Sequence, residues 1–110
     1  MEIKSSNYPS NYQNREDKQW AIEAATGQII IFEFSDFSIE YATSCIYDWV
    51  QVFDGNGQEL LEKSCGDTNP QSFSSKTNKA TVMFHSDVSV TGKGFRLKFS
   101  FKGDLAKHSG

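Results

Sequence analysis

The chain has 110 residues, enough for one domain built round a single core. Its 11 Lys and Arg against 14 Asp and Glu leave a formal charge of −3, which excludes the broad basic footprint of a phosphate-backbone binder, so no nucleic-acid partner is expected. Nine Phe within a 37% hydrophobic composition favour strands over helices, and no apolar run approaches the roughly 18 residues of a membrane helix, so no membrane insertion is expected.

In chain order, residues 5–17 are polar and turn-rich, around Ser6-Asn7-Tyr8-Pro9, and read as irregular. Trp20, Ile22 and Ala24 alternate with polar or small positions, which predicts a strand with one buried face and Trp20 in the core. After the Thr26-Gly27 turn, residues 28–34 read as a strand facing Ile30, Phe32 and Phe34 inward. Residues 35–44 read as a loop carrying Asp36 and Glu40. Residues 47–53 form the next expected strand, closed by Asp54-Gly55-Asn56-Gly57, a strong hairpin-turn signal. A short strand over 58–63 precedes a long polar loop, 66–78, interrupted by Phe73. The last strands are 80–85 and 94–101. In the latter, Phe95, Leu97, Phe99 and Phe101 alternate with Arg96, Lys98 and Ser100.

Short strands at this spacing, with turn residues between them and no helical period, predict an all-β antiparallel β-sandwich. The domain is expected to span residues 1–102, with 103–110 as a C-terminal tail or linker. No hydrophobic leader follows Met1, and the chain is expected to be one module of a longer, multidomain protein.

The chemistry concentrates in three stretches: Phe34 to Glu40, Cys45 to Asp54, and His85 to Gly92. A fold that brings them together would gather Glu40, Asp48 and Asp87. Carboxylates held close repel one another, so such a cluster calls for a cation, and calcium is the cation that several carboxylates and a carbonyl suit. Asp36 and Asp54 serve as controls: Asp36 reads as a loop-capping residue and Asp54 as the first residue of a tight turn. Trp49 follows a proposed ligand on an alternating strand and is expected to face away from Asp48. Lys76, Lys79 and Lys93 read as solvated loop charges. The two cysteines, Cys45 and Cys65, are open to two readings, buried free thiols or a disulfide of an oxidising compartment. Zinc is disfavoured, since His85 and His108 fit no usual ligand spacing with them. No catalytic residue is assigned and no enzyme is expected: no nucleophile is accompanied by a base and a supporting acid, and a domain this small offers little room for a deep cleft.

The ordered series Ser6-Asn7-Tyr8-Pro9 with Tyr12, then Trp20, Phe34-Ser35-Asp36-Phe37 with Ile39-Glu40, Cys45-Ile46-Tyr47-Asp48-Trp49-Val50, Phe53-Asp54-Gly55, Cys65-Gly66, Ser86 to Gly92 and Gly94-Phe95 resembles the CUB domain family. The likeness runs from about Ile3 to Phe101. It implies a jelly-roll-like sandwich with one disulfide, Cys45–Cys65, and the calcium site many members carry. The implied ligands are the side chains of Glu40, Asp48 and Asp87 and the backbone carbonyl of Ser89. Tyr12 would orient the first carboxylate by a hydrogen bond. The chain lacks the family's first cysteine pair, having Lys18-Gln19-Trp20 where a cysteine often precedes the tryptophan; the first CUB modules of complement initiator proteases share that absence. The N-terminal edge would then be held by packing alone.

The resemblance implies an extracellular, non-catalytic, calcium-dependent protein-recognition module that grips a lysine or arginine of a protein partner at its calcium-bearing loop end. The alternative is a lectin-like module binding a glycan or glycosaminoglycan, which would call for aromatic platforms or a basic patch away from that end.

Overall fold

The computed structural model describes residues 1–103 of the chain. Most of the expected tail, 104–110 with His108, lies outside the described residues. Eight strands build two four-stranded antiparallel sheets: β1 (Glu2–Lys4), β2 (Asp17–Glu23), β3 (Gln28–Ser38), β4 (Trp49–Asp54), β5 (Glu59–Ser64), β6 (Phe73–Ser74), β7 (Lys79–His85) and β8 (Gly94–Gly103). One sheet has the order β1-β8-β3-β6 and the other β2-β7-β4-β5, so the chain is an all-β sandwich.

The core follows from side-chain alternation. Ile30, Phe32 and Phe34 of β3 and Phe95 and Leu97 of β8 face Val50 and Val52 of β4 and Val82 and Phe84 of β7, all buried. Aromatic contact joins the two layers where Phe84 of β7 lies 5.7 Å from Phe95 of β8, while within β3 Phe34 packs edge-on to Phe37 at 5.2 Å. Trp20 is only half-buried. It closes the margin of the core, edge-on to Phe95 at 6.0 Å, rather than filling its centre.

Three differences from the sequence reading bear on the site. First, β3 runs on to Ser38 through a register shift between Phe34 and Asp36. The extra residue of this bulge resets the alternation, so Phe37 and Ile39 stay buried although they are out of phase with Ile30, Phe32 and Phe34. Second, the short edge strands β1 and β6, three and two residues long, had no counterpart in the sequence reading. Third, the N-terminal edge is held by hydrogen bonds as well as packing. Ser5 N–H donates to Phe95 O (3.1 Å), Tyr12 N–H to Gly92 O (3.0 Å) and Arg15 N–H to Asp87 O (2.7 Å). Ser86 is buried between the two segments, its Oγ accepting from Glu16 N–H (2.8 Å) and donating to Gln13 O (2.7 Å). Gly92 permits the close approach, since a Cβ there would lie 2.5 Å from Ser38 O.

Strand direction then places the site. β3 ends and β8 begins at the Ser38↔Gly94 pair, while Asp17↔His85 and His85↔Trp49 join the start of β2, the end of β7 and the start of β4. The segment 5–16, the loop 39–48 and the loop 86–93 therefore meet at one pole of the sandwich.

Candidate metal centre

Asp48 immediately precedes β4 and keeps that strand's inward phase: Asp48, Val50, Val52 and Asp54 are all buried. Its carboxylate thus enters the end of the core with no exposed surface. Two donors meet it: Tyr12 OH donates to Oδ2 at 2.5 Å and the Asp87 N–H to Oδ1 at 2.8 Å. Glu40 follows Ile39, which is fixed by paired backbone bonds to Gly66 (3.0 and 2.9 Å). The Glu40 N–H donates to the Tyr12 hydroxyl at 3.1 Å, so that buried phenol receives from one acidic residue and donates to the next. Tyr12 orients the carboxylate of Asp48; for Glu40 it holds the backbone rather than the side chain. Glu40 Oε1 is buried and meets no donor. Asp87 leaves β7 beyond Ser86, and Ser89, exposed two residues on, donates its N–H to Asp87 Oδ1 at 3.3 Å.

The structure brings Glu40, Asp48 and Asp87 together, each offering a carboxylate oxygen within 4.8 Å of the others. At an effective dielectric of about 20, unit charges that close repel by roughly 3 kcal/mol per pair. Burial holds the Glu40 carboxyl above its usual range, and the charges of Asp48 and Asp87 add to the effect. Burial likewise raises Asp48, against the opposing pull of the Tyr12 hydroxyl and the Asp87 N–H. Tyr12 is pushed far up, first by burial and then by its bond to Asp48, so it remains a donor at neutral pH. Hard oxygen donors, mutual repulsion and a buried oxygen without a partner suit a divalent cation of the calcium type, and these residues therefore fit one.

The control residues stand elsewhere. Asp36 accepts from Tyr8 OH (2.6 Å) and the Phe37 N–H (3.1 Å) and pairs with Lys93 at 2.6 Å; Lys93 is thus an exposed loop charge, as expected, that also has a partner. Asp54 is buried and capped by Gly55 N–H, Lys76 N–H and the Thr77 hydroxyl. The cysteines are joined, Cα to Cα 5.6 Å, which ties the loop ahead of Asp48 to the end of β5. Trp49 does face away, on the outer surface. It stacks on His85 of β7 at 5.4 Å, while Lys63 of β5, on the other side, places its ammonium 4.6 Å from the ring centre. The indole is thus occupied from both neighbouring strands and is a poor platform for a sugar. Sequence reasoning gave no role of its own to Ser86; its place at the head of the Ser86 to Gly92 motif was the available signal, and its buried hydrogen bonds are visible only in the fold.

A family profile for the CUB domain matches residues 1–99. Cubilin of Rattus norvegicus is 34% identical over 104 residues, covering 93% of this chain and 3% of that protein; the chain thus spans a small fraction of that relative's length. The full extracellular region of zebrafish Gpr126/Adgrg6 superposes with a TM-score of 0.86 at 36% identity, covering 94% of this chain and 14% of that one. The MASP-1 CUB2 domain bound to Ca2+ superposes with a TM-score of 0.81 at 27% identity, covering 89% of this chain and 88% of that one.

Proposed function

We propose, from the premise that this chain belongs to the CUB domain family, that it is a non-catalytic, calcium-dependent protein-recognition module, with residues 1–102 as the working domain and 103–110 as a tail or linker. The observation that carries this reading is the Glu40–Asp48–Asp87 cluster with its unpartnered buried oxygen. Side-chain oxygens of these residues, with the Ser89 carbonyl, would hold the ion. When bound, calcium supplies positive charge that offsets their repulsion and links two loops distant in sequence. The protein's own part is orientation: Tyr12 and the Asp87 N–H fix Asp48 before any ligand arrives, which reduces the freedom lost on docking. Carboxylate oxygens left partly uncompensated then accept from a lysine or arginine of the partner in a charge-assisted contact.

The disulfide and the extracellular region among its relatives support a secreted or ectodomain setting within a longer protein. Among the described residues, no helix is long and apolar enough to cross a membrane. The test is a calcium titration by calorimetry of the parent and Asp87→Ala, followed by capture of partners in calcium and in chelator. A single saturable site lost in the variant is expected. Calcium binding unchanged in Asp87→Ala would reject the reading.

A further inference from the structure

Among the described residues, the large hydrophobic side chains left exposed are Met1 and five others: Tyr41 (74%), Ile46 (64%), Tyr47 (45%), Val88 (62%) and Val90 (60%). All five sit in the two loops that carry the cluster. Tyr41 follows Glu40, Ile46 and Tyr47 precede Asp48, and Val88 and Val90 follow Asp87. The Asp87 N–H bond to Asp48 brings those loops together. Single exposed apolar residues are ordinary, but a group gathered round one polar site marks a binding surface. Val90 sharpens the point. It has φ 55, in the left-handed region that disfavours β-branched residues, and it also faces water. Glycine or asparagine would serve that backbone and a polar residue would serve that exposure, so folding alone gives no reason for valine.

We infer that this pole recognises a basic side chain set among apolar neighbours: a partner segment whose lysine or arginine is flanked by aliphatic or aromatic residues. The inference rests on the calcium-dependent reading above and adds the partner's chemistry. Charge favours a cationic partner over a lipid surface. Three carboxylates against the two charges of one calcium ion leave the pole negative; neither 39–48 nor 86–92 contains a lysine or arginine to hold an anionic headgroup, and in the third segment, 5–16, the single basic residue Arg15 is matched by the adjacent Glu16. The nearby Lys93 is committed to Asp36.

The test uses the whole chain in saturating calcium and two peptides of equal length, each with one lysine, flanked in one by Leu and Phe and in the other by Gly and Ser. Affinities are measured for the parent and for the Ile46→Ser/Val88→Ser variant, whose changes are on the surface; an unchanged calcium titration verifies its folded site. The apolar-flanked peptide is expected to bind roughly tenfold or more tightly than the other, a gap that closes in the variant. Equal binding of the two peptides to the parent would overturn the inference and leave the calcium reading intact. Binding of neither, with calcium demonstrably bound, would overturn both. Calcium-dependent flotation with phosphatidylserine vesicles, or self-association in place of peptide binding, would also overturn it.

Discussion

Asp48 and Asp54 enter the same core from opposite ends of β4, both buried, and their carboxyls are displaced in opposite directions. Burial alone would raise both. At Asp54, hydrogen bonds from the Thr77 hydroxyl and the N–H groups of Lys76, Gly55 and Thr77 overcome it and hold the carboxyl below its usual value. At Asp48 two donors do not suffice against burial and the neighbouring Asp87 charge. One carboxylate is satisfied by the fold; the other is left short of donors.

Asp54→Ala is therefore expected to destabilise the domain whether or not calcium is present, by roughly 3 kcal/mol, because it leaves buried donors without an acceptor. Asp48→Asn is expected to melt in chelator no lower than the parent and to lose the rise that calcium gives. Paired thermal melts in calcium and in chelator check both.

The same contrast fixes the pH dependence. Glu40 and Asp48, raised on folding, contribute stability that is fully present below the unfolded carboxylate value of about 4 and is lost as pH rises through their folded values. Asp54 and Asp36 are lowered, the latter chiefly by Lys93 and Tyr8, and contribute above about pH 4, with loss as pH falls through their folded values. In chelator, mild acidification from neutral pH is expected to raise the melting temperature before strong acid lowers it. In calcium the mild-acid gain is expected to vanish, because protons displace the ion. Melting series across pH, with and without chelator, measure this.

Tyr12→Phe removes the hydroxyl that receives from Glu40 N–H and donates to Asp48. Calcium affinity is expected to fall by roughly tenfold or more, as for other residues that orient metal ligands. Calorimetric titration reads the loss, and an unchanged affinity would show that Asp48 is held without it.

Reducing Cys45–Cys65, which closes a separation of 20 residues, is expected to lower stability by about 3 kcal/mol. Titration of the native protein is expected to find no free thiol, and denaturant melts with and without reductant give the stability change.

The strands of the core were legible because alternation is a local signal: Phe95 to Phe101 needs no partner to be read as one face. The run past Phe34 was not, because a bulge erases the period that a strand is recognised by, and Phe37 and Ile39 then look like loop residues. The two shortest strands exist only through pairing with residues far along the chain, as Ile3 does with Leu97. At the site, the acidic residues stood out in the three stretches that concentrate the chemistry and the family resemblance assigned them as ligands, while their hydrogen-bond partners depend on which loops meet. Tyr12 donates to Asp48 rather than to the side chain of Glu40, and Ser86 fastens the N-terminal segment beneath them.

The pairing of Glu2 with Lys98 sets the chain's first strand alongside its last, and β8 runs from Gly94 at the acidic pole to Gly103 at the other. Gly103, the last described residue, thus stands at the end of the sandwich remote from Glu40 and Asp87. A partner engaged at the acidic pole, as proposed above, would leave the Gly103 end of β8 uncovered.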